Sequence, residues 1–418
     1  MKEASPWFGQ PRGLTILFLT NMWEQFSYYG MRALLVYYMT KQLLIGQGTS
    51  SVIYGAYTAT AYFTPIVGGV IADRYLGKRK AVIIGASVMA AGHFMMAFEP
   101  LFYFALATIA LGNGLFLPSL PSQINDLYAA DDPRRGRAYN VYYVGLNVGG
   151  LLAPLVCGTL GELYGWHYGF GAAGVGMFLG LVIYLAGRRY LPPEPPRVVQ
   201  AVATAPEARR SHRRLWWMLL GVGIAATIFR GAYEQIGNTL PLWIDTGVDR
   251  AWLGFTIPMT WFQSLNPLLV ISMTPLLLMA WRRRADAGRE TSPVMRMAIG
   301  ALVVAAAYVL LAAVTAIAGE TRVGWIWVVV FFVVLTFGEL DILPTGLGLF
   351  AKLAPLRLGA TTVASWFLAI FSGSLLAGVV GTLWSKASHP AFFLLLAGLA
   401  VAAAALLWRL DRPIRSLP

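Results

Sequence analysis

Twelve stretches of this chain are apolar for long enough to cross a bilayer; they lie near residues 13–44, 51–76, 79–98, 100–128, 138–163, 167–187, 215–244, 252–281, 294–318, 324–351, 359–385 and 389–409. A hydrocarbon core of ~30 Å takes about 20 helical residues to span. Membrane strands would alternate over segments of ~10 residues, whereas these run continuously apolar, so each is expected to be a helix. Composition points the same way. Charged residues make up 12% of the chain, about half of the ~25% usual in soluble domains. The expected fold class is all-α and integral to the membrane. One cysteine, Cys157, excludes a disulfide framework and a cysteine metal cluster. No small-residue cleavage site follows the first twelve residues, so no removable signal peptide is expected.

The formal net charge of +13 would suggest nucleic acid in a soluble protein. Its distribution gives another reading. With the N-terminus placed in the cytoplasm, 26 of the 32 lysines and arginines fall on cytoplasmic segments and four, Lys41, Arg250, Arg322 and Lys386, on outer loops. That asymmetry orients helices in membranes. Both termini are expected on the cytoplasmic side of the inner (plasma) membrane, and no nucleic-acid partner is expected. The widest polar gap, 188–214, is rich in Pro, Arg and Glu and divides six spans from six. The expected domains are a six-helix bundle over 1–187, a cytoplasmic linker over 188–214 and a second bundle over 215–418. Paired repeats of this kind suggest the twelve-helix major facilitator architecture.

Ionisable groups inside a bilayer cost ~2.5–3.5 kcal/mol on insertion scales, so each is a functional candidate. Six stand out: Glu24 and Arg32 in the first span, Arg230 and Glu234 in the seventh, Glu339 and Asp341 in the tenth. Asn21, Glu24, Tyr28 and Arg32 recur at helical spacing and share a face; Arg230 and Glu234 do the same. Glu339 and Asp341 are two apart and point in different directions. Fully ionised, the six carry two positive and four negative charges. A low-dielectric cavity tolerates that excess poorly. Either a cationic ligand group offsets it or a carboxylate stays protonated. Structural ion pairing between helices is the competing account of any single one of them.

A resemblance rests on particular runs. NMWEQFSYYGMR (21–32), GGVIADRYLGKRK (68–80), ALGNGLFLPSLPSQINDLY (110–128) and YNVYYVGLNVGGLLAPLVCG (139–158) stand in the first half. YEQIGNTL (233–240), WFQSLNPL (261–268), GELDILPTGL (338–347) and SWFLAIFSGSLLAG (365–378) stand in the second. In this order the chain resembles the proton-dependent oligopeptide transporter family, a branch of the major facilitator superfamily, over nearly its whole length. The resemblance implies that Tyr28, Tyr29 and Tyr62 shape a peptide pocket and that Asn147 and Asn266 hydrogen-bond the peptide. It implies that Glu339 receives the peptide amino terminus, that Trp366 lines the pocket, and that Arg32 pairs with Glu234 at an outer gate. Glu24 is the surviving acid of the first-helix signature, tied in relatives to proton coupling, a role for which Glu339 is a second candidate. Asp73, Arg74, Gly77 and Arg79 stand in the major facilitator loop motif, expected to clamp cytoplasmic helix ends in one conformational state.

The chain also departs from the pattern. The first signature glutamate is Asn21, the signature arginine is Gln25, and the fourth-helix lysine is Leu117. Arg230 occupies a position where relatives often place a tryptophan. Two roles for Arg230 stay open at this point, recognition of a peptide carboxylate and pairing with Glu234 along its own helix. The expected activity is secondary transport of di- or tripeptides or peptide-like compounds by alternating access, with protons as coupling ion. The altered coupling positions leave room for an uncoupled carrier or exporter of a modified or cationic peptide-like metabolite. A ligand receptor or scaffold without transport is the reading from another class. Gly169, Gly171 and Gly174 spell GxGxxG inside an apolar span, where close helix packing is expected rather than a dinucleotide. The four histidines, His93, His167, His212 and His389, are scattered without ligand spacing. No metal, cofactor or enzymatic chemistry is expected.

Overall fold

A computed structural model describes residues 9–129, 132–194, 209–289, 291–353 and 359–415. Twelve long helices follow in order among them: α1 (Arg12–Lys41), α2 (Gln47–Ile71), α3 (Lys78–Met95), α4 (Glu99–Leu127), α5 (Arg134–Leu163), α6 (Trp166–Tyr190), α7 (Leu215–Gly247), α8 (Met259–Asp286), α9 (Pro293–Ala318), α10 (Ile326–Lys352), α11 (Thr362–Lys386) and α12 (His389–Ile414). The last nine are long and apolar enough to cross a membrane. The first three are more polar: α1 carries Asn21, Glu24, Gln25 and Ser27, α2 opens on Gln47, Thr49, Ser50 and Ser51, and α3 on Lys78, Arg79 and Lys80. Most of the expected linker, residues 195–208, lies outside the described residues.

The chain gathers into two compact units, one of Met1–Tyr38 with Thr60–Ala201 and one of Met39–Ala59 with Val202–Pro418. In the first unit, small residues set the helix spacing, because lipid offers no hydrophobic drive between helices and close backbone approach must supply dispersion contacts. Gly85 of α3 and Gly112 of α4 each lie beneath the other's carbonyl, so a methyl on either would meet backbone oxygen at 2.7 Å. Gly149 of α5 admits the Met22 carbonyl of α1 in the same way. Polar side chains bind across these seams. Thr64 donates to the Ala110 carbonyl (2.9 Å), Asn113 to the Ala61 carbonyl (2.9 Å) and Asn21 to the Tyr142 carbonyl (3.2 Å). A buried core of Leu14, Val82, Met89, Phe116, Met177 and Tyr184 fills the remaining volume. Two of the GxGxxG glycines serve packing, Gly169 against Gly161 and the Cys157 carbonyl and Gly174 against the Phe94 ring, while Gly171 faces open space.

In the second unit, Gly55 of α2 meets Gly378 of α11, and Gly300 of α9 meets Gly338 of α10. Ser51 donates to Asn238 (2.9 Å), Gln47 to the Gly381 carbonyl (2.9 Å) and Gln235 to the Ala377 carbonyl (2.8 Å). Asp245 accepts ion pairs from Lys41 (3.0 Å) and Arg250 (3.1 Å).

One span departs from the expected continuous helix. The α-helical turns of α7 stop at Tyr233, a 3₁₀ turn covers Glu234–Ile236, and α-helix resumes only over Leu240–Gly247. Two residues explain it. Pro241 has no N–H to offer the Gly237 carbonyl, and Gly237 is a poor helix former. The α5 helix is likewise interrupted by a π turn over Pro154–Gly158.

Candidate substrate site

The break in α7 lies beside a cluster of candidate side chains in the second unit. Arg230, one turn before the break, forms an ion pair with Glu234, and both are buried, at 5% and 1% exposure. The Tyr54 hydroxyl of α2 donates to the other Glu234 oxygen at 3.0 Å. Between them in sequence, Tyr233 reaches the opposite direction, and its hydroxyl hydrogen-bonds the Glu339 carboxylate of α10. Asn266 of α8 donates to Glu339 at 2.6 Å and to the Thr336 hydroxyl at 3.1 Å. Arg230 and Glu234 are also within electrostatic reach of Glu339. The result is a chain of polar contacts from α2 through α7 and α10 to α8, in which one guanidinium faces two carboxylates.

Backbone geometry makes the room. Gly373 of α11 lies under the aliphatic stem of Arg230, where any side chain would strike Cβ and Cγ. The guanidinium then stands over the Tyr233 ring, 5.7 Å from its centroid, a favourable place for a cation. The Arg230 Nε–H has no acceptor among the described residues, although the guanidinium end engages Glu234. A buried donor without an acceptor costs about 1–3 kcal/mol. Trp366 stands apart from this cluster. It is buried at 4% exposure against Gly346 and Phe350, two turns further along α10 than Glu339.

In the first unit the expected residues form two smaller groups. Glu24 is buried at 1% exposure and accepts 2.6 Å from the Gln25 amide, and among the described residues no cation pairs with it. Tyr28 and Tyr29 meet edge to face at 5.4 Å, and Arg32 lies over the Tyr29 ring at 5.7 Å. Asn147 donates to the Tyr143 carbonyl of its own helix at 3.0 Å, and Tyr62 is half-buried on α2.

The loop motif is built around Gly77, whose φ of 82° follows a π turn over Ala72–Leu76; few residues besides glycine adopt that angle. Asp73 and Arg74 are exposed. The contacts at this end come from the later residues of the motif: Lys78 pairs with Asp126 at 2.8 Å, and Arg79 donates to the Leu191 carbonyl at 2.7 Å and to that of Pro192. The Arg79 backbone N–H donates to Glu194 at 2.5 Å.

Sequence reasoning missed Tyr54, Tyr233 and Thr336. Tyr233 adjoins Glu234 in a run singled out for its acid, and the two side chains reach different helices, α10 and α2.

A family model described as PTR2, POT family, matches residues 79–204 and 197–395. The chain is 31% identical to the uncharacterized transporter YclF of Bacillus subtilis, over 92% of this chain and 90% of that protein. It is 29% identical to a di-/tripeptide transporter of Lactococcus lactis subsp. cremoris, over 100% of this chain and 98% of that protein. A crystal structure of a peptide transporter, POT, in complex with sulfate superposes with a TM-score of 0.90 at 29% identity, over 99% of this chain and 97% of that one. The fold is the all-α, twelve-helix major facilitator type of a multi-pass membrane protein.

Proposed function

Because the chain belongs to the POT family, we propose that it moves di- or tripeptides, or peptide-like compounds, across a bilayer by alternating access driven by proton symport. One observation carries this reading: Glu339, held by the neutral donors Tyr233 and Asn266, stands within electrostatic reach of the Arg230–Glu234 pair. A zwitterionic peptide presents an ammonium at one end and a carboxylate at the other. Glu339 accepts the first, and Arg230, with its Nε–H open, takes the second by leaving or sharing Glu234. Both roles open for Arg230 in the sequence thus belong to successive states of one side chain.

Tyr28, Tyr29, Tyr62, Asn147 and Trp366 complete the pocket in this reading, and Arg32 with Glu234 serves the outer gate. Glu24 carries the proton. Its neighbour Gln25 cannot offer a charge, and a carboxylate buried without a cation neutralises by protonation. Asp73, Arg74, Gly77 and Arg79 act in the conformational change. Residues 1–187 and 215–418 are the two bundles, joined by 188–214, with both ends in the cytoplasm and the chain in the plasma membrane. The 26-to-4 division of basic residues supports that orientation. Since Cys157 is buried, cysteines introduced into loops would report sidedness without background.

Uptake into proteoliposomes tests the function. Accumulation of a dipeptide against its gradient under an imposed pH gradient is expected; equilibration alone would reject symport. For Arg230→Ala, uptake of substrates bearing a C-terminal carboxylate should fall more than uptake of analogues lacking it, and equal losses would reject recognition by Arg230. A second reading, an uncoupled carrier or exporter of a cationic peptide-like compound, is favoured by the neutral Gln25 beside Glu24 and by Leu117. It predicts flux that ignores the pH gradient.

A further inference from the structure

Two residues after Glu339, Asp341 occupies the other side of α10, since two helical positions turn through about 200°. It is buried at 5% exposure, and its Oδ1 has no hydrogen-bond partner among the described residues. Its Cβ lies directly over Gly300 of α9, whose missing side chain lets the two helices close. Four residues earlier, on the same face of α9, stands Arg296. That guanidinium does not pair with Asp341; it lies over the Trp281 ring of α8, 4.6 Å from its centroid. Arg296 and the exposed Arg284 of α8 are nevertheless both within electrostatic reach of Asp341. From α11, the other helix packed on α10, no charged side chain is available before Lys386 at its far end.

From this arrangement we propose that Asp341 is a second proton-binding site, emptied when Arg296 exchanges the Trp281 ring for the Asp341 carboxylate. An ionised carboxylate buried without a partner is costly, and the group neutralises by taking up a proton instead. With Arg296 on Trp281, Asp341 holds that proton as a neutral acid. When α8 shifts against α9 and α10, the ring withdraws and the guanidinium turns one helical turn along α9 to meet the carboxylate. The O–H bond of Asp341 breaks, the proton passes to water at the arginine-rich ends of α8 and α9, and a charge-assisted pair replaces it. The Val270, Leu277 and Leu340 cluster, with Trp281 packed on it, joins α8 to α10, so a movement of α8 reaches Asp341 directly. Use of the site in coupling rests on the symport reading; the protonation itself does not.

Two measurements on the full chain test it. In infrared spectra at neutral pH, with aspartate isotope-labelled, the wild type should show the carbonyl stretch of a protonated aspartic acid. Asp341→Asn should lose it. Trp281→Leu, which leaves Asp341 in place and removes the ring from Arg296, should lose it as well and serves if Asp341→Asn does not fold. Retention of the band in either folded variant overturns the proposal. In proteoliposomes, the proton-to-substrate ratio from reversal potentials should fall by one in Asp341→Asn, and a ratio equal to wild type overturns the coupling role. A wild type that shows the band yet does not accumulate substrate on a pH gradient would reject symport while leaving the proton site standing.

Discussion

The Tyr233 hydroxyl hydrogen-bonds Glu339, while the next residue in the chain, Glu234, is held by Arg230 and Tyr54. Two carboxylates on different helices, Glu234 buried and Glu339 half-buried, are thus tied to adjacent positions of one broken helix. Tyr233→Phe removes a donor from Glu339 and nothing else of size. A hydrogen bond to a charged group contributes about 1.5–3 kcal/mol, so the KM for dipeptides should change about tenfold or more while the protein folds normally. A concentration series of initial uptake rates checks this, and an unchanged KM would remove Tyr233 from the site.

Arg230→Gln leaves Glu234 buried with the Tyr54 hydroxyl but without the guanidinium. Breaking a buried pair from one side costs about 3–5 kcal/mol, whereas removing both charges is often close to neutral. The melting temperature of Arg230→Gln should therefore fall clearly, and that of the Arg230→Gln/Glu234→Gln double variant should recover much of the loss. Additive losses in a thermal-shift series would show that the pair is not what holds Glu234.

Gly373→Ala places a methyl against the Arg230 stem and within 3.0 Å of the Thr227 carbonyl. Overpacking of this kind costs about 1–3 kcal/mol, and here it displaces the guanidinium. Uptake of carboxylate-bearing substrates should fall as it does for Arg230→Ala, with a smaller effect on carboxylate-free analogues. The same pair of uptake assays decides it.

Glu24→Gln replaces the proposed proton-carrying group with a neutral amide of the same shape. Accumulation driven by a pH gradient should be lost, while exchange of labelled for unlabelled substrate across the membrane continues. Counterflow and gradient-driven uptake, measured on the same vesicles, separate the two. Gradient-driven accumulation at the wild-type level would move coupling elsewhere.

The twelve helices were legible because continuous apolarity over a bilayer's width has one structural solution. Glu24, Arg230, Glu234 and Glu339 were legible because a charge in such a stretch is costly wherever it points. The opposed directions of Glu339 and Asp341 followed from helical spacing, and the structure places them toward α8 and α9 respectively. Tyr54 and Tyr233 were not legible: tyrosine is ordinary in membrane helices, and which hydroxyl finds a carboxylate depends on packing between distant segments. The interruption of α7 could have been suspected from Gly237 and Pro241, but a hydropathy window averages over both. In the loop motif, sequence pointed to Asp73, Arg74, Gly77 and Arg79 together; of its charged members, Lys78 and Arg79 make the visible contacts because they open α3 beneath the ends of α4 and α6.

The interruption at Glu234–Ile236 has a mechanical corollary. A continuous helix can bend sharply only by surrendering backbone hydrogen bonds, which is expensive in a solvent without water. In α7 the α-helical pattern is already replaced between Tyr233 and Leu240 by shorter 3₁₀ bonds, from the Gly237 N–H to the Glu234 carbonyl (3.1 Å) and from the Asn238 N–H to the Gln235 carbonyl (3.2 Å). The junction of the two segments coincides with the residues that hold Arg230 and Glu339. A bend introduced at this junction would change the same few dihedral angles that set those contacts.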